Sequence, residues 1–308
     1  MSTALLVAIL MTVAAAATPL LIAALGELVA EKSGVLNLGV EGMMLIGAVT
    51  AFAVAVTTGI PALGAVAAMA AGAVAAAIFA MLTLGLMANQ VATGLALTIF
   101  GTGVSALIGA PFVGITTTTL GPIFPASLAS DPVWRVVFGH SPLVYLGLIL
   151  TFAVWWFLKH TRAGLILRAV GESDEAAHSI GYPVLTVRTL AVLFGGAMAG
   201  LGGSYYSLVL TPMWAERLTA GRGWIAIALV VFASWRPGRL LVGAYLFGLV
   251  LTMELQAKAA GFNFLAPEFL SALPYLATIL VLALISAGRR SARTVAPACL
   301  GRPFRASA

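Results

Sequence analysis

The stretch LRAVGESDEAAHSIGYPV, residues 167–184, is the longest clearly polar interval between apolar blocks in this sequence. It carries Arg168, Glu172, Asp174, Glu175 and His178. The chain on either side is greasy. Of its 308 residues 61% are hydrophobic and only 8% are charged, and mean hydropathy is +1.09. A soluble domain carries about 25% charged residues. With so few, a soluble chain of this length could not cover its surface, so the expected class is an all-α, polytopic integral membrane protein. The abundance of Ala and Gly suits helices that approach closely in a bilayer.

A spanning helix needs about 20 mostly apolar residues. That rule predicts about nine spans, at 3–26, 34–57, 61–88, 91–110, 143–159, 184–210, 223–235, 239–258 and 269–287. The seventh is short for an untilted crossing, and reads as a broken or re-entrant helix or one that extends back to include 218–222. The first is read as a span, since no Lys or Arg precedes Lys32 to make the basic region of a signal peptide. The chain is thus one transmembrane domain over 1–287, with a cytosolic loop at 160–183, followed by a basic tail over 288–308.

Net charge is +6, but the basic residues sit in short loops and the tail, as an inserted membrane protein requires. No nucleic-acid partner is expected; the lipid bilayer is. With the C-terminus inside and the spans alternating, the inside set is Lys32, Lys159, Arg162, Arg168, Arg188, Arg236, Arg239, Arg289, Arg290, Arg293, Arg302 and Arg305. The outside set is Arg135, Arg217, Arg222 and Lys258. This bias predicts a multi-pass plasma-membrane protein with its C-terminus cytoplasmic. The tail reads as membrane-surface binding or disorder.

Residues 27–42, ELVAEKSGVLNLGVEG, link the first two spans. Glu27 and Glu31 read as solvated carboxylates of a cytosolic loop in preference to part of a bend lining a path or its mouth. Asn37 and Glu41 lie in a continuing apolar run, where an ionisable group is expensive and calls for a partner; they read as structural or as lining a path. Asn89 and Gln90 read as helix caps that bind water, or as path-facing. Residues 111–142 form the longest outside segment, with four prolines that argue against one helix; it reads as a partner's docking surface or a passive connector. Trp134 and Phe138 suit the membrane interface. His140 has no His or Cys at metal spacing, and the single Cys299 excludes an intramolecular disulfide. Gly196 and Gly200 form a GxxxG pair, and Glu254 and Lys258 an i,i+4 ion pair.

The polar island follows Trp155-Trp156, Lys159, His160 and Arg162, a cytoplasmic membrane boundary. Its spacing predicts a short amphipathic helix across the cytosolic surface, closed by Gly181 and Pro183. No phosphate loop, HExxH or GxSxG motif occurs. No catalytic residue, metal or cofactor is expected. The sequence offers a pathway without an energy source, so energy must come from an ion gradient or another protein. A secondary transporter is one reading, but no clear internal repeat is visible; a membrane enzyme is another, but its residues are missing.

Residues 17–44, ATPLLIAALGELVAEKSGVLNLGVEGMM, and 220–237, AGRGWIAIALVVFASWRP, resemble permease subunits of ABC importers. The branch is the branched-chain amino acid/ribose type, and within it the nucleoside and simple-sugar group. Such permeases carry a cytosolic coupling helix with an Glu-Ala-Ala-x-x-x-Gly pattern, matched by Glu175, Ala176, Ala177 and Gly181. The family's longer pattern ends in Ile-x-Leu-Pro, which is absent. The resemblance implies ABC ATPase subunits docked on that helix, a second permease (often a different chain), and an extracytoplasmic substrate-binding protein. It makes Arg168, Glu172 and Glu175 expected ATPase contacts, with Ala176, Ala177 and Gly181 allowing close packing.

Overall fold

The computed structural model describes residues 3–125, 127–259, 276 and 296–305. Among these the chain is helical, with two isolated bridges, Val113 to Trp214 and Thr116 to Met213. The helices are α1 (Thr3–Lys32), α2 (Val40–Thr58), α3 (Pro61–Ala80), α4 (Gln90–Gly109), α5 (Pro132–Phe138), α6 (Pro142–His160), α7 (Arg162–Glu172), α8 (Asp174–Ser179), α9 (Val184–Tyr205), α10 (Arg222–Phe232) and α11 (Pro237–Ala259). Seven described segments are long and apolar enough to cross a membrane: Leu5–Lys32, Val40–Thr58, Pro61–Gly85, Gln90–Phe112, Pro142–His160, Val184–Leu210 and Pro237–Lys258. The eighth expected span is the short α10, and the ninth, 269–287, lies outside the described residues.

Two boundaries moved, and both matter. α1 runs to Lys32 rather than 26, and α2 starts at Val40 rather than 34. Glu27 and Glu31 are therefore helical. The link between the two helices shrinks to residues 33–39.

The centre is α1, α2, α3 and α9, joined by glycine seams. Gly47 of α2 faces Gly200 of α9, Gly72 of α3 faces Gly196, and Gly203 lies on the Met44 backbone. A Cβ at any of these would strike main chain. The Gly196/Gly200 pair is thus a close-packing device, as its spacing suggested. Bringing backbones together gains dispersion contacts in a solvent as apolar as the side chains. α4 packs on α2 in the same way, with Gly101 on Gly42, while its far side leaves Ile99 and Leu107 exposed.

The helices alternate in direction and give the bundle two ends. One collects Lys32, residues 33–39, α7, α8, Arg188, Arg236 and residues 296–305; this is the basic end. The other collects 113–141, 211–217 and Lys258. There α5 is N-capped by Asp131, and Trp134 stacks on Phe138. Glu254 and Lys258 form the expected pair at 2.7 Å.

Candidate functional site

At the basic end the polar island is two helices. Ser173 is extended (φ −151°, ψ 99°), which stops α7, and its side chain accepts the Ala176 N–H to start α8. α8 closes on Gly181 at φ +91°, with Tyr182 N–H donating to the Ala177 carbonyl and Gly181 N–H to that of His178. That left-handed turn is why glycine stands there. Arg168, Glu172, Glu175, Ala176 and Gly181 are exposed at this end, beside the exposed Leu165, Ile180 and Leu185. Ala177 is not available to a partner. It turns inward against Val170, Val184 and Phe304.

Residues 296–305 are packed rather than free. Cys299 N–H donates to the Gly171 carbonyl and Gly301 N–H to that of Gly34. Cys299 is buried, which pushes its thiol up from its ordinary pKa. Beneath them lies the wholly buried Arg188, which donates to the carbonyls of Ser33 (3.1 Å) and Arg302 (3.4 Å) and pairs with Asp174 at 3.0 Å. One guanidinium thus ties the α1–α2 link, α8 and the C-terminal segment together. Sequence reasoning counted Arg188 only as an orientation marker. Its signal was its place five residues into an apolar span, where a charge needs partners.

A second polar cluster surrounds the 33–39 link. Glu27 and Glu31 are buried in α1 and not solvated, which corrects the loop reading; helix α1 continues through them and α10, α11 and the link cover them. Glu27 accepts the Asn37 N–H at 3.1 Å, and Glu31 accepts the Trp235 indole N–H at 2.5 Å. Asn37 accepts the Gly39 N–H, and the buried Gln90 accepts the Leu36 N–H at 2.8 Å. Asn89 is exposed and caps α4 through the Ala92 N–H. These side chains satisfy the non-helical backbone of the link, which a membrane protein must do internally.

Glu41, in the first turn of α2, reaches furthest. It accepts from Thr219 Oγ1 (2.5 Å), Gly221 N–H (2.9 Å) and Gly223 N–H (2.6 Å). Those donors surround the start of α10. A carboxylate there meets both the free amides and the positive end of the helix dipole. With 11 residues, α10 is about 16 Å long, half the roughly 30 Å hydrocarbon core. The rest of the depth is covered by its lead-in. Trp214 packs beside Ala48 and Phe52 whereas Gly221 sits on Glu41, so the lead-in descends about 10–15 Å along α2. The segment starts at the end that holds 211–217 and finishes at the basic end beside Glu31, so it is a broken helix with an extended lead-in rather than a re-entrant one. Arg217 and Ala220 before α10, and Ser234 and Trp235 after it, have φ near +50°. Each such residue costs about 1–3 kcal/mol and persists where its surroundings impose it.

Among the described residues, no three His, Cys, Asp or Glu side chains come together as a metal site. The family profile described as "Branched-chain amino acid transport system / permease component" matches residues 9–284. The chain belongs to this permease family. TsgC13 of Haloferax volcanii, named for glucose ABC transport, is 40% identical, covering 92% of this chain and 93% of the relative. The guanosine ABC transporter permease NupQ of Bacillus subtilis is 31% identical over 86% of this chain and 88% of its own length. The nucleoside ABC transporter permease NupC of Lactococcus lactis is 28% identical over 87% and 88%. A permease of this family is a multi-pass plasma-membrane subunit of an ABC importer. It is a transport component rather than an enzyme, and it works with a separate ATPase and a binding protein.

Proposed function

We propose that this permease carries a nucleoside or a simple sugar, with its basic end in the cytoplasm and α8 as the contact for the ATPase. The observation that supports the solute class most is near full-length similarity to permeases named for glucose and guanosine. Orientation is supported by the gathering of Lys32, Arg168, Arg188, Arg236 and the C-terminal segment at one end. A ninth span is supported by Lys258 and Cys299 standing at opposite ends of the bundle. The single-domain reading, 1–287 with its coupling loop at 160–183, treats 288–308 as a tail whose far part docks back on that loop.

α8 suits docking because Glu175 and Ala176 face solvent beside an exposed Ile180, a charged and apolar mixture typical of interaction sites. Arg168 and Glu172 extend that surface, while Ala177 and Gly181 set the turn from behind. A second permease, read as a different chain, would complete the path. Asn89 stands at the cytoplasmic mouth of that path, and Asn37, Glu41 and Gln90 brace its wall.

The test is uptake by the reconstituted importer. Guanosine or glucose should enter vesicles only with the ATPase, ATP and binding protein present; entry driven by an ion gradient alone would sink this reading. Glu175→Arg should leave the chain inserted but separate ATP hydrolysis from uptake, and normal uptake would remove α8 from the coupling role. Gly181→Trp should do the same, with added strain in the φ +91° turn.

A further inference from the structure

α10 differs from every described span in three ways. It crosses only part of the depth. Left-handed, non-glycine residues flank it on both sides. And each of its ends is held by a buried carboxylate from a different helix: Glu41 of α2 at its start, Glu31 of α1 through Trp235 just past its finish. A strained segment fixed at two points by polar contacts has two discrete positions available, latched and released, where a glycine seam has only one.

The two latches are unequal. Glu41 uses both oxygens on three donors that fall within five residues, Thr219 to Gly223. Glu31 uses one oxygen on one indole, and its other oxygen has no hydrogen-bond partner among the described residues. The Trp235 latch is therefore the weaker. At the other end the lead-in leaves Ala215, Glu216, Arg217 and Ala220 exposed, and the Arg222 guanidinium lies over the Tyr206 ring at 4.9 Å. Non-helical backbone at membrane depth is tolerated where it is buried in protein or lines a water-filled cavity. The lead-in does the first on its Thr219 side, where Glu41 holds it, while Ala220 on the other side is exposed.

We propose that α10 with its lead-in 215–221 is a moving gate of the solute path, and that Glu41 and Glu31 are positioning residues that latch its two ends. This rests on the chain forming the path of an ABC importer. Neither carboxylate touches solute; each acts through the backbone or indole it holds. Release of Trp235 from Glu31 lets the helix tilt about the firmer Glu41 anchor, and relatching resets it.

The experiment uses the complete importer in proteoliposomes, with Cys299→Ser removing the one native thiol and Ser234→Cys, buried beside the Trp235 latch, reporting the end that is released. A membrane-impermeant maleimide is applied with the complex nucleotide-free and again vanadate-trapped. The labelling rate should differ at least about fivefold between the two states. Trp235→Phe, which keeps the ring and removes the donor, should shrink that difference. It should also lower solute moved per ATP by up to about tenfold, the size of one lost buried hydrogen bond. Thr219→Val, which removes one of three donors, should do so more weakly, and Trp235→His, which restores an N–H donor, should recover part of the ratio. A purely structural role would lower the amount of folded complex and leave the ratio of solute to ATP unchanged. Equal labelling in both states by a complex that transports overturns the gate and leaves the permease reading standing. A parent complex that takes up no solute with ATP overturns the permease reading itself.

Discussion

α9 and α10 follow one another in the chain and are held by opposite means. α9 spans fully and meets its neighbours through Gly196, Gly200 and Gly203, backbone against backbone. α10 crosses half the depth and is held at its ends by side chains from far earlier in the chain, Glu41 lying 180 residues before Gly221 and Glu31 204 before Trp235. A seam made by the absence of side chains fits in one register only. A carboxylate can let go of an amide and take it again. The contrast separates the part of the bundle that must stay from the part that is free to move.

The sharpest way to break that contrast is at the seam. Gly203→Leu drives a side chain into the Met44 main chain, where neither backbone can yield. We expect more than about 3 kcal/mol of destabilisation, read as loss of folded protein on detergent gel filtration. A variant that eluted and melted like the parent would show α9 to be less tightly seated than described. Next in size is Glu41→Ala, which leaves the Thr219 hydroxyl and two amides without acceptors. A cost of about 2–3 kcal/mol follows for a buried group of this kind, and it should appear as faster hydrogen exchange confined to the start of α10 while α9 stays protected. Exchange spreading evenly through both helices would erase the distinction between them. The smallest effect belongs to Lys258→Ala. The lysine of its pair with Glu254 is 36% exposed, so less than about 1 kcal/mol is expected, with a melting curve close to the parent's.

The seven long spans among the described residues were legible in the sequence because each needs only its own residues: about 20 apolar positions announce themselves wherever their neighbours lie. The same holds for the Gly196/Gly200 spacing and for the shortness of 223–235. The solvated reading of Glu27 and Glu31 failed for a different reason. Acids beside Lys32 look like a loop, and what buries them is Trp235 and Asn37, partners that only the folded chain brings near. Arg188 was hidden for the same cause: its acceptors at Ser33, Asp174 and Arg302 lie in three segments that are remote in sequence. For α8, the Glu-Ala-Ala-x-x-x-Gly spacing marked a helical element, but Ser173 broke the helix through its extended backbone and its cap on Ala176, and Ala177 turned inward against Val170, Val184 and Phe304.

That packing has a consequence for how the protein is made. Arg188 sits with no exposure, yet one of its acceptors is the carbonyl of Arg302, 114 residues later. At a synthesis rate of about 5–20 residues per second, the arginine waits roughly 6–23 s for that carbonyl to leave the ribosome. During that interval the basic end stays open, with a guanidinium short of one partner and α7–α8 not yet braced. Completion of the basic end is thus a late event in biogenesis, and the docked segment marks a chain that has been translated through to the residues that close it.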